Sequence, residues 1–217
     1  MTKGNITAVI CGAFESITWD ILDKFVNNDR ITKVIYSGWI GDKRPLIDNE
    51  KVVMVGTNNP KNCGPYGVNN FILPAYNGIS FCNTKFVWKI NSNLKFTEDE
   101  INAKLDKFDE TFNQKSPKIL TNILDTIPMS VDDVSMIGLT KSVREFWQCP
   151  LDNNPDDESA PRMFPTTYIT CHYLKIYSTA AFDMLSNPHT YLFPNSPKRD
   201  QAMATSKRIL PNYFIGA

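Results

Sequence analysis

Four short runs rich in β-branched residues punctuate the first part of the chain, and each stops at small or turn-forming residues. They are Ile6–Cys11 before Gly12, residues 31–37 before Gly38, residues 51–56 before Asn58, and residues 85–90 before Asn91-Ser92-Asn93. Runs that are apolar almost throughout, rather than alternating with polar residues, mark strands buried on both faces of a parallel sheet. Between them the spacing turns helical. Ile17, Ile21, Leu22, Phe25 and Val26 follow Ser16, which is placed to cap a helix. Val68, Phe71, Ile72, Ala75, Tyr76 and Ile79 share one helical face, with Pro74 expected to kink or interrupt it. Thr97 and Glu100 form a capping box ahead of the stripe Ile101, Leu105, Phe108 and Phe112. Strand and helix in alternation predict an α/β fold with a mostly parallel central sheet flanked by helices.

Further along, residues 134–139 read as another strand and residues 140–147 as a short helix burying Val143, Phe146 and Trp147. Residues 150–165 hold four prolines together with Asp152, Asp156, Asp157 and Glu158, the composition of a long loop able to act as a lid. Ile169, Tyr173, Ile176 and Tyr177 restore a helical stripe, and the tail from Asn187 mixes prolines, aromatics and basic residues. The 217 residues fit one domain, with residues 1–96 as a ligand-binding half and 97–217 as the half that faces a second substrate.

Composition narrows the function classes. The 23 Lys and Arg balance 23 Asp and Glu, so no net field draws the chain to nucleic acid or an anionic membrane. The longest apolar stretches fall far short of the roughly 20 residues that span a bilayer, and no charged-then-apolar leader opens the chain. Five scattered cysteines without a Cys-x-x-Cys pair point to a reducing compartment. A cytoplasmic protein without a transmembrane segment is the expectation.

In an open parallel sheet, ligands bind beyond the carboxyl ends of the strands, which makes residues 12–15, 37–39, 56–58 and 91–93 the candidate loops. No Gly-x-Gly-x-x-Gly follows the first strand and no Gly-Lys-Ser/Thr occurs, which argues against dinucleotide dehydrogenases and P-loop enzymes. Among the aromatics Phe14, Trp39, Tyr66 and Trp147, Trp39 is best placed to stack on a ligand and Trp147 reads as core. His172 and His189 have no metal-site spacing; His172 reads as a helix-surface or satisfied core residue, and His189 lies in a proline-flanked loop, a candidate to approach a bound ligand.

The segments Val68-Asn-Asn-Phe-Ile-Leu-Pro-Ala-Tyr-Asn-Gly-Ile79, Lys85-Phe-Val-Trp-Lys-Ile-Asn-Ser-Asn-Leu94 and Asp132-Asp-Val-Ser-Met-Ile-Gly138, in that order, resemble the WavE family of lipopolysaccharide-synthesis glycosyltransferases. Val9-Ile-Cys-Gly12 and Tyr36-Ser-Gly-Trp39 are similar as well. The resemblance implies a GT-A nucleotide-sugar fold and transfer of a sugar from a nucleotide donor to a glycan hydroxyl. It also implies an acidic Asp-x-Asp-like element holding a divalent metal, where this chain has Asn91-Ser92-Asn93; the family's arginine is matched by Asn70 and its glutamate by Thr166. Hard cations favour carboxylates, so a Mn²⁺ or Mg²⁺ requirement is not expected.

The donor-binding candidates are therefore Gly12, Ala13, Phe14, Trp39, Asn69, Asn70, Lys89, Asn91, Asn93 and Arg199. Without a metal, the leaving diphosphate needs cations or helix amino termini; Lys198, Lys207 and Arg208 join Lys89 and Arg199 as options, or form a solvated surface. Asp133 is the candidate base, with Asp132 as the alternative and the loop acids 156–158 as a third option; a turn-capping aspartate is the competing account of Asp133. A glycosyltransferase-like module that binds a nucleotide, glycan or protein without catalysis is the alternative function, and another doubly wound α/β enzyme is a third.

Overall fold

Every residue of the first strand, β1 (Ile6–Cys11), is buried, as a strand covered on both faces requires. The computed structural model describes residues 5–42, 47–115, 118–124, 126–152, 164–175 and 197–216. After β1 come α1 (Ser16–Val26), β2 (Ile31–Trp39), β3 (Val52–Thr57), α2 (Val68–Ser80), β4 (Phe86–Asn91) and α3 (Glu98–Thr111). The rest is β5 (Ile119–Leu120), β6 (Ser135–Leu139), α4 (Thr140–Trp147), α5 (Pro165–Tyr173), α6 (Pro197–Ile209) and β7 (Phe214–Ile215).

The seven strands form one sheet in the order β3-β2-β1-β4-β6-β5-β7. β1, β2, β3 and β4 run parallel, while β6 is antiparallel to both β4 and β5. β7 pairs parallel to β5, so β6 alone opposes the rest. The chain moves outward from β1 to β3 and then crosses back to lay β4 on the other side of β1. That reversal leaves a crevice at the carboxyl ends of β1 and β4. Because β6 is antiparallel, its beginning lies at the same edge: the Asn91 amide donates to the Val134 carbonyl at 2.9 Å.

The period of two along the strands sorts side chains into two cores. Ala8 and Ile10 of β1 and Trp88 and Ile90 of β4 pack with Ile21 and Phe25 of α1 and Ile101, Leu105 and Phe108 of α3. Val9, Cys11 and Val87 face the other way, onto Ile72 and Ile79 of α2, Phe146 and Trp147 of α4 and Ile169 of α5. Each fully buried aliphatic or aromatic side chain contributes about 1.5–3 kcal/mol relative to exposure. α3 starts as its sequence dictates: Glu100 N–H donates to Thr97 Oγ1 at 3.2 Å, and Thr97 N–H to Glu100 Oε2 at 2.7 Å.

Four local expectations change. The cap of α1 is Glu15 rather than Ser16; Glu15 N–H donates to Thr18 Oγ1 at 3.0 Å, because Thr18 rather than a residue at position 16 is turned back onto the entering chain. Pro74 does not interrupt α2, which runs unbroken through it. Its missing N–H deprives only the Asn70 carbonyl, one turn back on an exposed residue, so the cost is local. Phe71, read as part of the core stripe, is 39% exposed. The tail is more regular than its composition suggests: α6 is helical and β7 closes the sheet edge on β5. Ile176, Tyr177 and most of the loop 150–165 lie outside the described residues.

Candidate functional site

The turn that follows β1 depends on Gly12, whose φ of +123° is a conformation that side-chain-bearing residues rarely adopt. Its N–H donates to the Ser37 carbonyl at 3.0 Å, and its carbonyl accepts from the Tyr36 hydroxyl at 2.7 Å. The turn after β4 is stitched to it: Ser92 N–H donates to Cys11 O at 2.8 Å, Ser92 Oγ to Ala13 O at 2.7 Å, and Thr18 Oγ1 to Ser92 O at 3.2 Å. The two loops at the strand-order reversal thus form one rigid ledge.

Above this ledge opens a cavity of about 450 Å³. Gly12, Ala13 and Glu15 wall it from β1, Asn91, Ser92 and Asn93 from β4, Trp39 from β2, and Asn70, Phe71 and Pro74 from α2. Asn59, Pro60 and Cys63, from the segment between β3 and α2, complete it. Among the described lining residues Glu15 is the sole charged one, so the wall is built of side-chain amides and main chain.

Six of the sequence candidates therefore meet in one place: Gly12, Ala13, Trp39, Asn70, Asn91 and Asn93. Four do not. Phe14 packs edge-on against buried Tyr36 at 5.2 Å and against exposed Trp19 at 5.6 Å, and it is not part of the cavity wall. Asn69 is buried and its amide is consumed by main chain, donating to Asn62 O at 2.8 Å and Asp152 O at 2.7 Å while accepting from Asp152 N at 2.8 Å. Arg199, on α6, donates to Thr126 O at 3.3 Å, away from the cavity wall. Lys89 sits behind the wall.

Lys89 is 1% exposed in the middle of β4, on the face that meets α4. Its ammonium donates to Asn91 Oδ1 at 2.6 Å and to the Asp133 carbonyl, and it lies 4.2 Å from the centre of the Trp147 ring. It belongs to none of the ion pairs among the described residues. Burial pushes the Lys89 ammonium below its ordinary value, opposed chiefly by the charge of Asp133. Burial likewise raises Asp133, opposed by Lys89. Cys11 is pushed up to about 12 by burial and is no nucleophile.

Asp133 is 8% exposed and does not line the cavity, although it precedes β6 at the same sheet edge. Asp132 is the turn-capping residue of the pair. Its Oδ1 accepts from Val134 N–H at 3.1 Å and its Oδ2 faces the Asn122 amide at 3.4 Å. Thr166 Oγ1 bonds Ser130 Oγ at 3.2 Å, a contact within the fold. Trp147 is core, as its periodicity indicates, Tyr66 stacks on Phe164 at 5.7 Å, and His172 is half-buried beside Tyr168. Lys207 and Arg208 are exposed on α6. His189, Asp156, Asp157 and Glu158 lie outside the described residues.

A divalent cation of the kind the resembled family holds does not fit the 91–93 turn. Asn91 offers its one oxygen to Lys89, and a dication there would face an ammonium across that amide. Among the described residues no group of three His, Cys, Asp or Glu side chains is arranged to hold a metal.

No protein-family profile matches the chain, and no curated protein does. Solved structures do. The Staphylococcus aureus TarS 1–349 structure is similar over 78% of this chain and 55% of that one, at 10% identity and a TM-score of 0.50. This architecture is shared. The fold is GT-A-like. The 4-diphosphocytidyl-2C-methyl-D-erythritol synthase of Anaerococcus prevotii matches 70% of this chain and 80% of its own, at 12% identity and a TM-score of 0.43. A CMP:2-keto-3-deoxy-manno-octonic acid synthetase complexed with CTP matches 81% and 86%, at 6% identity and a TM-score of 0.43. No described helix is long and apolar enough to cross a membrane.

Sequence reading found the loops after β1, β2 and β4 because strand ends announce themselves. It missed Asn59, Pro60, Cys63, Phe71 and Pro74, which come from the approach to α2. The signal was present in Asn62-Cys63-Gly64, where Gly64 N–H donates to Asn62 Oδ1 at 2.8 Å and closes a turn around the lining residue Cys63.

Proposed function

We propose that the protein transfers a sugar from a nucleotide-sugar donor to a hydroxyl of a glycan, with the donor diphosphate in the crevice between β1 and β4. The observation that carries this reading is the position of the cavity: it opens where the strand order reverses, between the Gly12 turn and the 91–93 turn. The WavE-like segments support it, because residues 68–79 and 85–94 both contribute to that wall through Asn70 and Asn91 to Asn93.

In this account the amides of Asn70, Asn91 and Asn93 receive the phosphate oxygens and Trp39 borders the nucleoside. Glu15, the charged wall residue, accepts from hydroxyls of the ribose or sugar. As the acceptor oxygen attacks the anomeric carbon, the bond from that carbon to the diphosphate oxygen breaks, and Asp133, which stands just outside the cavity lining at the same sheet edge, takes the proton of an acceptor that enters on the β6 side. Its raised affinity for a proton suits a base operating nearer neutrality than an ordinary carboxylate. The reaction needs no resident divalent ion, the diphosphate charge being met by donors on the wall.

A second reading is a binding module without catalysis, favoured by the neutral Asn91 and Asn93 where carboxylates are expected. Incubation with UDP-, CDP-, GDP- and ADP-sugars, following release of nucleoside diphosphate with and without glycan acceptor, separates the two. Release that depends on the acceptor supports transfer; binding of a nucleotide sugar with no release under any condition supports the silent module.

A further inference from the structure

An ammonium can only donate hydrogen bonds, and that fixes the orientation of the amide it touches. Lys89 Nζ lies 2.6 Å from the Asn91 side chain, so the atom facing it is Oδ1 and the Nδ2 group is turned away. Asn91 is half-buried and lines the cavity, and its Nδ2 has no hydrogen-bond partner among the described residues. The neighbouring Ser92 hydroxyl is unavailable to a ligand because it is spent on Ala13 O. The ledge therefore presents one oriented, unspent N–H donor, backed directly by a buried positive charge.

We propose that Lys89 is a positioning residue that locks Asn91 as a donor to a phosphoryl group of the ligand, in place of a metal bridge. The inference rests on the nucleotide-sugar reading and specifies how that site holds its anion. A hydrogen bond from the ammonium polarises the amide, making its N–H a stronger donor, and the low dielectric around Lys89 preserves that effect. The same geometry rejects a divalent ion, whose acceptor oxygen is already taken and whose charge repels the ammonium. Lys89 itself stays out of contact with the ligand: it is 1% exposed and forms no part of the cavity wall, which it meets through Asn91. The Asp133 carbonyl and the Trp147 face hold the ammonium from its other sides, so it has a single arrangement.

The test is calorimetric titration of inorganic pyrophosphate and of UDP, CDP, GDP and ADP into wild type, Asn91→Asp, Lys89→Met and Lys89→Gln, each in EDTA and in Mn²⁺, with thermal unfolding confirming the fold. Wild type is expected to bind at least one probe in EDTA, with Mn²⁺ changing the affinity less than about twofold. Asn91→Asp, which pairs with Lys89 and puts a carboxylate where the N–H stood, is expected to weaken binding in EDTA about tenfold or more. Lys89→Met is expected to do the same, and Lys89→Gln, which still donates to Oδ1, to recover part of the loss; a purely structural lysine would not give that rescue pattern at equal thermal stability. If the position-89 variants do not fold, Asn91→Asp at the cavity surface carries the test alone. Equal affinity of Asn91→Asp and wild type in EDTA overturns the inference. Binding by wild type only with Mn²⁺ also overturns it while leaving the transferase reading in place, and no binding of any probe under either condition overturns both.

Discussion

Ser92 Oγ donates to the carbonyl oxygen of Ala13 at 2.7 Å, joining the turn after β4 to the turn after β1 across the strand-order reversal. A Cβ added at Gly12 would stand 2.7 Å from that same Oγ. Gly12→Ala is therefore expected to cost about 1–3 kcal/mol in backbone strain alone, with the steric conflict added. Urea unfolding of Gly12→Ala, Ser92→Ala and the double variant separates the two parts: in the Ser92→Ala background, where the hydrogen bond to Ala13 O is already absent, adding Gly12→Ala costs only the φ penalty. Wild-type stability of Gly12→Ala would contradict this view of the ledge.

Asn69 is a clamp, not a ligand contact, since three main-chain partners saturate its amide. Asn69→Ala removes three hydrogen bonds, to the Asn62 carbonyl and to the Asp152 carbonyl and N–H, and is expected to lower stability by about 2–3 kcal/mol. Asn69→Asp should be worse near neutral pH, because a carboxylate oxygen would then face the Asn62 and Asp152 carbonyls. Chemical denaturation of the two variants checks the order; an aspartate as stable as wild type would remove the clamp.

Asp133 makes a prediction in two observables. Its folded-state affinity for protons is raised above the ordinary value of 3.8. The native state then binds the proton more tightly than the unfolded chain, so this group's contribution to stability falls as pH rises from 3.8 through the raised value. Asp133→Asn should abolish that slope, measured as the wild-type minus variant difference across a pH series of unfolding curves. As the base, Asp133 sets the acidic limb of the transfer rate above the ordinary carboxylate range, and its loss costs about 10²–10⁴ in turnover with donor binding spared. Full turnover by Asp133→Asn would take the base role from it.

Trp147 carries an indole N–H with no partner among the described residues and offers its ring to Lys89 at 4.2 Å. Trp147→Phe keeps an aromatic face and removes the unpaired N–H, whereas Trp147→Leu loses the face under the ammonium. The phenylalanine variant should be the more stable by about 0.5–2 kcal/mol, the range of a desolvated cation–π contact. Thermal unfolding of the two proteins decides it, and a more stable leucine variant would contradict the contact.

How much of this could be read from the chain follows from what each residue answers to. β1, β2 and β4 were legible because burial on both faces writes itself as runs that are apolar almost throughout, and α3 because Thr97 and Glu100 satisfy its first amides locally. β5 and β7 were not, since two-residue strands have no period of their own and exist only through pairing with β6 and with each other. In the site, Gly12 and Asn91 lie where strand ends place ligands. Asn69 and Asn70 look alike in sequence, and only tertiary contact decides that one faces main chain and the other the cavity. Lys89 was conspicuous as a charge in an apolar strand, but its partner two residues on became visible only when both side chains were seen on one face.

The most direct measurement is a crystal structure of the protein with the nucleoside diphosphate that binds most tightly in the presence of EDTA. The account predicts electron density for the phosphates between the Gly12 turn and Asn91, with a phosphate oxygen within hydrogen-bond distance of Asn91 Nδ2. Phosphates located elsewhere, such as in the lysine-lined groove of Lys95, Lys104 and Lys107 beside α3, would contradict it.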